Sequence, residues 1–284
     1  MFYILKIKIF LLAMLPLSVL YVLSDMLYPV VYYVVRYRRK VVRKNIRLAF
    51  PEKSEKEIIK IEKKFYHFFC DLFLEVIKFS EISEKTLKHI YRIDVNAILD
   101  VLNSGKSVML MTAHYGNWEW GSSLPLFLDK KYFVCNIYKE LKDKKFGELM
   151  DKLRSRFGAK NIEVKKLLRE MLRMRNNAQP AVFNMIADQR PPRNSIHHRM
   201  NFLNCDTAVL TGTEELARKF DYPVVFCYIN RPKRGFYGVE LVQVIEQPSK
   251  LNKFEITERY FAFLEQKIRE HPEFWLWTHN RWKF

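Results

Sequence analysis

Ser107–Ala113 reads SVMLMTA, a short uncharged run that stops at His114, Tyr115, Gly116 and Asn117. A brief apolar run closed by a glycine reads as a buried strand giving way to a turn. The run then constrains the residues that follow, because His114 and Glu119 lie five positions apart. On a continuous helix that spacing rotates side chains by about 500°, well apart. On a continuous strand it sends them to opposite faces. The two converge only if the backbone turns between them. Gly116 permits unusual backbone angles and Asn117 is a good helix N-cap, so the pair supplies that turn.

Strand-like and helix-like stretches alternate along the rest of the chain. Strands are expected at Ser107–Ala113, Phe133–Tyr138, Ala181–Ala187, Val224–Ile229 and Val239–Ile245. Helices are expected at Trp118–Leu128, Lys144–Phe157, Val164–Asn176, Thr213–Phe220 and Phe254–Glu270. Such alternation predicts an α/β fold, a mixed, largely parallel sheet flanked by helices. Upstream, a turn at Pro51 precedes a helix in which Ile58, Ile61, Phe65, Phe68, Phe69, Leu72 and Val76 recur at helical spacing, with lysines and glutamates between. With 284 residues, 49% of them hydrophobic, the chain can bury a substantial core and is not disordered.

The N-terminus is different in kind. Ile9–Ser24 is sixteen residues without a charge, and a second apolar stretch runs from Met26 to Val35. Sixteen falls short of the roughly 20 residues that span a bilayer core, but the two stretches together are long enough to span with a break or to form a re-entrant hairpin. Arg36–Arg47 then packs seven basic residues and no acid, as expected beside anionic headgroups on a cytoplasmic face. A cleaved signal peptide fits poorly, since no small-residue cleavage site precedes the basic block. Pro16 and Pro29 argue against a long regular core helix. The expected organisation is therefore a membrane anchor with its basic cluster at residues 1–44 and a domain at 45–284.

Forty-nine basic against 31 acidic residues give a net charge of +18, which suits a polyanionic partner: a nucleic acid, an anionic membrane or an acidic protein. No recognised nucleic-acid motif accompanies the charge, and its densest run sits beside the apolar segment, so nucleic acid is set aside. Cys70, Cys135, Cys205 and Cys227 show no CxxC pairing, which suggests reduced thiols facing the cytosol. His197 and His198 are adjacent without an HExxH pattern, and neither a metal nor a cofactor is expected.

An imidazole suits proton removal from an alcohol near neutral pH, and a carboxylate on its other nitrogen fixes the tautomer. Such a pair needs no nucleophilic serine or cysteine when the substrate brings its own hydroxyl, as in acyl transfer from a thioester to an alcohol. The plainer reading has His114 capping a strand end and Glu119 on a first helical turn, favoured by the helix dipole. Spacing alone does not choose. A tetrahedral intermediate would also need donors for its oxyanion. Arg156 is the first choice, with Arg154 next, against a reading of both as a solvated helix face. Asp188 closes the apolar strand AVFNMIAD, where it can orient a base, an arginine or an acceptor headgroup, or simply cap a turn. Gln189–Phe202 reads as a basic flap beside it. Phe274, Trp275, Trp277, Trp282 and Phe284 form an aromatic ending that reads as core packing or an interfacial anchor, core packing being preferred.

HYGNWE resembles the HX4D/E motif of membrane glycerolipid acyltransferases, in the form of the lipid A biosynthesis (late, lauroyl/myristoyl-type) acyltransferase family. Five further segments resemble that family in order: NIRLAFPE at Asn45–Glu52, RSRFGA at Arg154–Ala159, ADQ at Ala187–Gln189, GTEELARKFDYPVV at Gly212–Val225, and HPEFWLWTHNRWK at His271–Lys283. The resemblance implies an enzyme at the cytoplasmic face of a bacterial inner membrane. It would move a fatty acyl group from acyl carrier protein, or coenzyme A, to a hydroxyl of a lipid A precursor. It carries the general base onto His114 and its orientation onto Glu119, with Asn117, Lys139, Arg154, Arg156 and Asp188 as substrate-binding residues. Lys139 stands where the family often has arginine, losing bidentate phosphate geometry, and Asn204 stands where it usually has glycine. A phospholipid or aminolipid acceptor, or a basic lipid-binding protein without catalysis, are the competing readings.

Overall fold

The computed structural model describes residues 9–141 and 143–283, which fall into two compact units. One comprises Lys88–Asp188 and Leu210–Tyr260. It holds a seven-stranded sheet built from β1 (Tyr91–Ile93), β2 (Val108–Thr112), β3 (Phe133–Tyr138), β4 (Lys160–Glu163), β5 (Ala181–Ile186), β8 (Val224–Lys233) and β9 (Phe236–Ile245), in the order β1-β9-β8-β2-β5-β3-β4. Every pairing is parallel except β8 with β9. The expected largely parallel α/β sheet is therefore present. All five residues of β2 are buried. That is the mark of a strand covered on both faces, and it explains why its sequence is uniformly apolar rather than alternating.

Strand β2 runs in register with β5, Val108 opposite Val182 and Thr112 opposite Ile186. The ladder continues one bond further, with the Ala187 amide donating to the Thr112 carbonyl at 3.0 Å. Beyond β2 the chain turns through Gly116 at φ +61° and enters 3₁₀ turns over Trp118–Phe127, where an α-helix was expected. Three of the sheet's elements escape periodicity: β1 is three residues long, β4 carries charge at both ends, and the helix Asn96–Asn103 is short.

The other unit draws on Met1–Leu87, Gln189–Val209 and Phe261–Phe284. Residues 9–14 are helical, and Pro16 precedes a helix at Leu17–Pro29. The segment is thus not one long regular helix, as Pro16 and Pro29 predict. The backbone passes into a π-helical turn at Val30–Val35, whose wider spacing absorbs the lost amide. The helix Glu55–Lys78 opens with a capping box in which Ser54 accepts from the Glu57 amide and Glu57 accepts from the Ser54 amide. Its apolar stripe is largely buried, with Phe69 and Val76 half-buried, and Glu62, Asp71 and Glu75 are buried too. Partners from the N-terminal segment explain this. Arg39 and Arg43 donate to Glu62, Ser24 to Asp71 at 2.7 Å and Tyr21 to Glu75 at 2.8 Å.

The expected flap is partly regular, because Arg199–Phe202 (β6) pairs antiparallel with Cys205–Ala208 (β7). Leu203 and Asn204 form the two-residue connection, both at positive φ, 52° and 61°. Asparagine tolerates that region, so a glycine-to-asparagine change there is conservative. Trp275 and Trp277 are buried, the core-packing choice, while Phe284 lies outside the described residues.

A Cβ on Gly116 would sit 2.8 Å from both the Ile229 carbonyl oxygen and its Cγ2. Gly116→Ala therefore combines left-handed strain with overpacking. We expect it to destabilise the protein by roughly 2–4 kcal/mol, read as a lowered urea midpoint at unchanged slope.

Candidate active site

The register of β2 and β5 sets the site. Thr112 faces Ile186, so two residues on, at the same carboxyl-terminal edge, His114 meets Asp188 although 74 positions separate them. The Asp188 carboxylate holds the histidine twice. Its Oδ2 accepts from the His114 backbone amide at 3.0 Å, and its Oδ1 lies 2.7 Å from Nδ1 of the ring. Asp188 is 3% exposed and the His114 side chain 17%. A carboxylate at Nδ1 selects the tautomer with the proton on Nδ1, which puts the lone pair on Nε2, the arrangement of a general base.

Glu119 is engaged elsewhere. Arg154 donates its Nε to Oε2 at 2.9 Å and its Nη2 to Oε1 at 2.6 Å, a bidentate fork. The Trp118 indole also donates to Oε1 at 3.2 Å. The contact with Nδ1 expected of Glu119 is therefore made by Asp188. The physical reason is that the turn at Gly116 sends Glu119 toward the helix Lys144–Ser155, which carries Arg154. Glu119 still bears on the histidine indirectly, because the Trp118 ring it anchors stands edge-on to His114, centroids 5.1 Å apart at 71°. Sequence reasoning missed Trp118; only its place inside the motif singled it out.

Burial acts against the charge of Arg154, but the hydrogen bond and charge of Glu119 outweigh it and raise its pKa above the ordinary value. Arg156, the expected oxyanion donor, is exposed with its guanidinium 4.6 Å over the Phe157 ring. The arginine joined to the motif is Arg154. Asn117, expected as a cap and as a substrate contact, is fully buried, and its Oδ1 accepts from the Trp120 amide at 3.2 Å. It shapes the turn. Lys139 is exposed one residue past β3.

An apolar crevice lies behind Trp118, lined among others by Leu110, Leu124, Cys227, Ile229 and Leu241. Its volume is about 20 Å³, too little for an acyl chain unless side chains move aside. Burial pushes the Cys227 thiol up to about 12, so no thiolate nucleophile is offered there at neutral pH. All four cysteines are free.

Removing Arg154 strips a partly buried carboxylate of its fork. Arg154→Met is expected to cost roughly 2–4 kcal/mol, measured by chemical unfolding, with Arg154→Lys recovering part of the loss.

A comparison with curated proteins found no match. The model of one family, described as bacterial lipid A biosynthesis acyltransferase, matches residues 1–284. By this match over its whole length the chain belongs to the bacterial lipid A biosynthesis acyltransferase family.

Proposed function

We propose that this lipid A acyltransferase takes its acyl group from the thioester of acyl carrier protein and uses His114 as general base. The observation that carries the reading is the 2.7 Å contact of Nδ1 with Asp188. Nε2 of His114 removes the proton from an acceptor hydroxyl on the lipid A precursor as that oxygen attacks the thioester carbonyl. The tetrahedral intermediate collapses, the carbon–sulfur bond breaks, and the proton passes from Nε2 to the departing thiolate. An ester and a free thiol result. Asp188 stabilises the imidazolium formed between the two steps. Glu119 and Arg154 hold Trp118 and the turn, and the crevice behind Trp118 opens to take the start of the acyl chain. The exposed cations Lys139 and Arg156 meet the acidic carrier, in keeping with the net charge of +18.

Residues 1–44 supply the membrane attachment, with 45–284 as the catalytic part, at the cytoplasmic face of the inner membrane. Leu17–Val35 is apolar and long enough to cross a bilayer by length and composition. Val22, Met26, Val34 and Val35 are each 60% or more exposed, an apolar face interrupted by the exposed Ser18 and Asp25. The opposite side docks on Glu55–Lys78 from Tyr21 against Glu75 to Tyr28 stacked on His67 at 3.5 Å. Because that helix also carries the exposed Lys63 and Lys64, a spanning orientation would drag charges into hydrocarbon at about 2.5–3.5 kcal/mol each. The segment therefore lies along the bilayer surface, its exposed face immersed and the basic block Arg36–Arg47 at the headgroups.

His114→Ala and Asp188→Asn are each expected to lower turnover by about 10²–10⁴-fold, measured by mass spectrometry of product from purified chain, acyl carrier thioester and lipid A precursor. Turnover at the wild-type rate in either variant rejects the mechanism. For the attachment, Val22→Glu with Met26→Glu should reduce partitioning onto anionic vesicles by on the order of 10²-fold in flotation assays, two side chains of about 1.5 kcal/mol or more being lost.

A further inference from the structure

A second cavity lies in the unit that contains the β6–β7 hairpin. It measures about 110 Å³, room for a few waters at roughly 30 Å³ each or for one tetrahedral oxyanion. Four of its nine lining residues are arginines, Arg190, Arg193, Arg199 and Arg281, and the single acid is Asp206. That gives a lining charge of four minus one, or +3. Asp206 is held by Arg199, whose Nη2 donates to it at 2.7 Å, on the exposed side of the hairpin. Arg281 is 2% exposed, and its guanidinium lies 5.9 Å from the centre of the Phe261 ring. Trp282 closes the wall, its indole donating to the Thr207 hydroxyl at 2.8 Å. The backbone is fixed as well, the Arg190 amide donating to Nε2 of His279 at 3.4 Å.

A small cavity lined by four arginines matches a phosphate better than a carboxylate. A phosphate monoester carries close to two negative charges and three acceptor oxygens spread over a tetrahedron, where a carboxylate presents two in a plane. The volume admits a phosphoryl group and leaves its sugar or nucleoside outside. We infer that this cavity is a phosphate-binding site for a phosphate monoester borne by a substrate. That last clause rests on the acyl-transfer reading above, while phosphate binding itself does not. Two sources supply such a group: the phosphorylated sugar of the lipid acceptor, or the 3′-phosphate of coenzyme A were that the donor. Neither source is assigned to this cavity by membership of the family.

The test is calorimetric titration of the full chain in detergent with inorganic phosphate, at constant ionic strength, against acetate. The wild type should bind phosphate more tightly than acetate. Arg193→Gln, at an exposed position that threatens no packing, should weaken phosphate about tenfold or more. Arg281→Lys, which keeps the charge but loses the fork, should fall between. His114→Ala should bind phosphate like the wild type, so a failed acyl-transfer reading leaves this result standing. Phosphate bound no better than acetate, or unaffected by Arg193→Gln, overturns the site. In turnover, Arg193→Gln raises KM for a phosphorylated acceptor over its dephosphorylated form if the acceptor is the source. It raises KM for acyl-coenzyme A, and not for the carrier-protein thioester, if the donor is.

Discussion

Parallel pairing of β2 with β5 is the constraint from which the active site follows. Two parallel strands end at the same edge of a sheet, and here their register carries His114 and Asp188 to facing positions just beyond the last paired residues. A sheet with helices on its faces brings functional groups to that edge as a matter of topology. The carboxylate binds both the backbone and the side chain of one histidine, so its position is set by the sheet and not by a loop.

That same dependence explains what could be read from the sequence. The strands that matter were legible because burial leaves short, mostly apolar runs, as in Val108–Thr112 and in Ala181–Ile186, where Asn184 is the one polar residue. The turn was legible too, since Gly116 and Asn117 act locally, one through its backbone and the other as a cap. His114 and Glu119 stood out as a pair by spacing. The partner of His114 did not, because the register between strands 74 residues apart leaves no mark on either strand. Asp188 was visible only as an acid at a strand end with several possible duties. Similarly, nothing in the sequence marks Glu62, Asp71 and Glu75 as buried, because the residues that satisfy them come from a distant segment. Gln189–Phe202 reads as a flap, and the hairpin that its end forms with Cys205–Ala208 escapes the sequence because both strands are short and polar; only the tolerance of Asn204 for positive φ hints at the turn.

Two carboxylates in one site with different partners divide the labour. Asp188, almost wholly buried, holds both the backbone amide and the ring of His114, and in the proposed reaction its partner is an imidazole that gains charge. Glu119 faces a guanidinium whose charge never changes, so its worth lies in position. The ion pair with Arg154 ties the first turn after Gly116 to the helix Lys144–Ser155, and the indole it also holds stands against the histidine ring. An HX4E spacing is therefore explained without direct contact through Nδ1. The glutamate must follow the turn closely enough to orient Trp118 beside it, and far enough from His114 to reach an arginine on another element. Were Glu119 at Nδ1 instead, Asp188 would be left as a buried carboxylate at a strand end without the ring to satisfy it, a more costly arrangement than the one adopted.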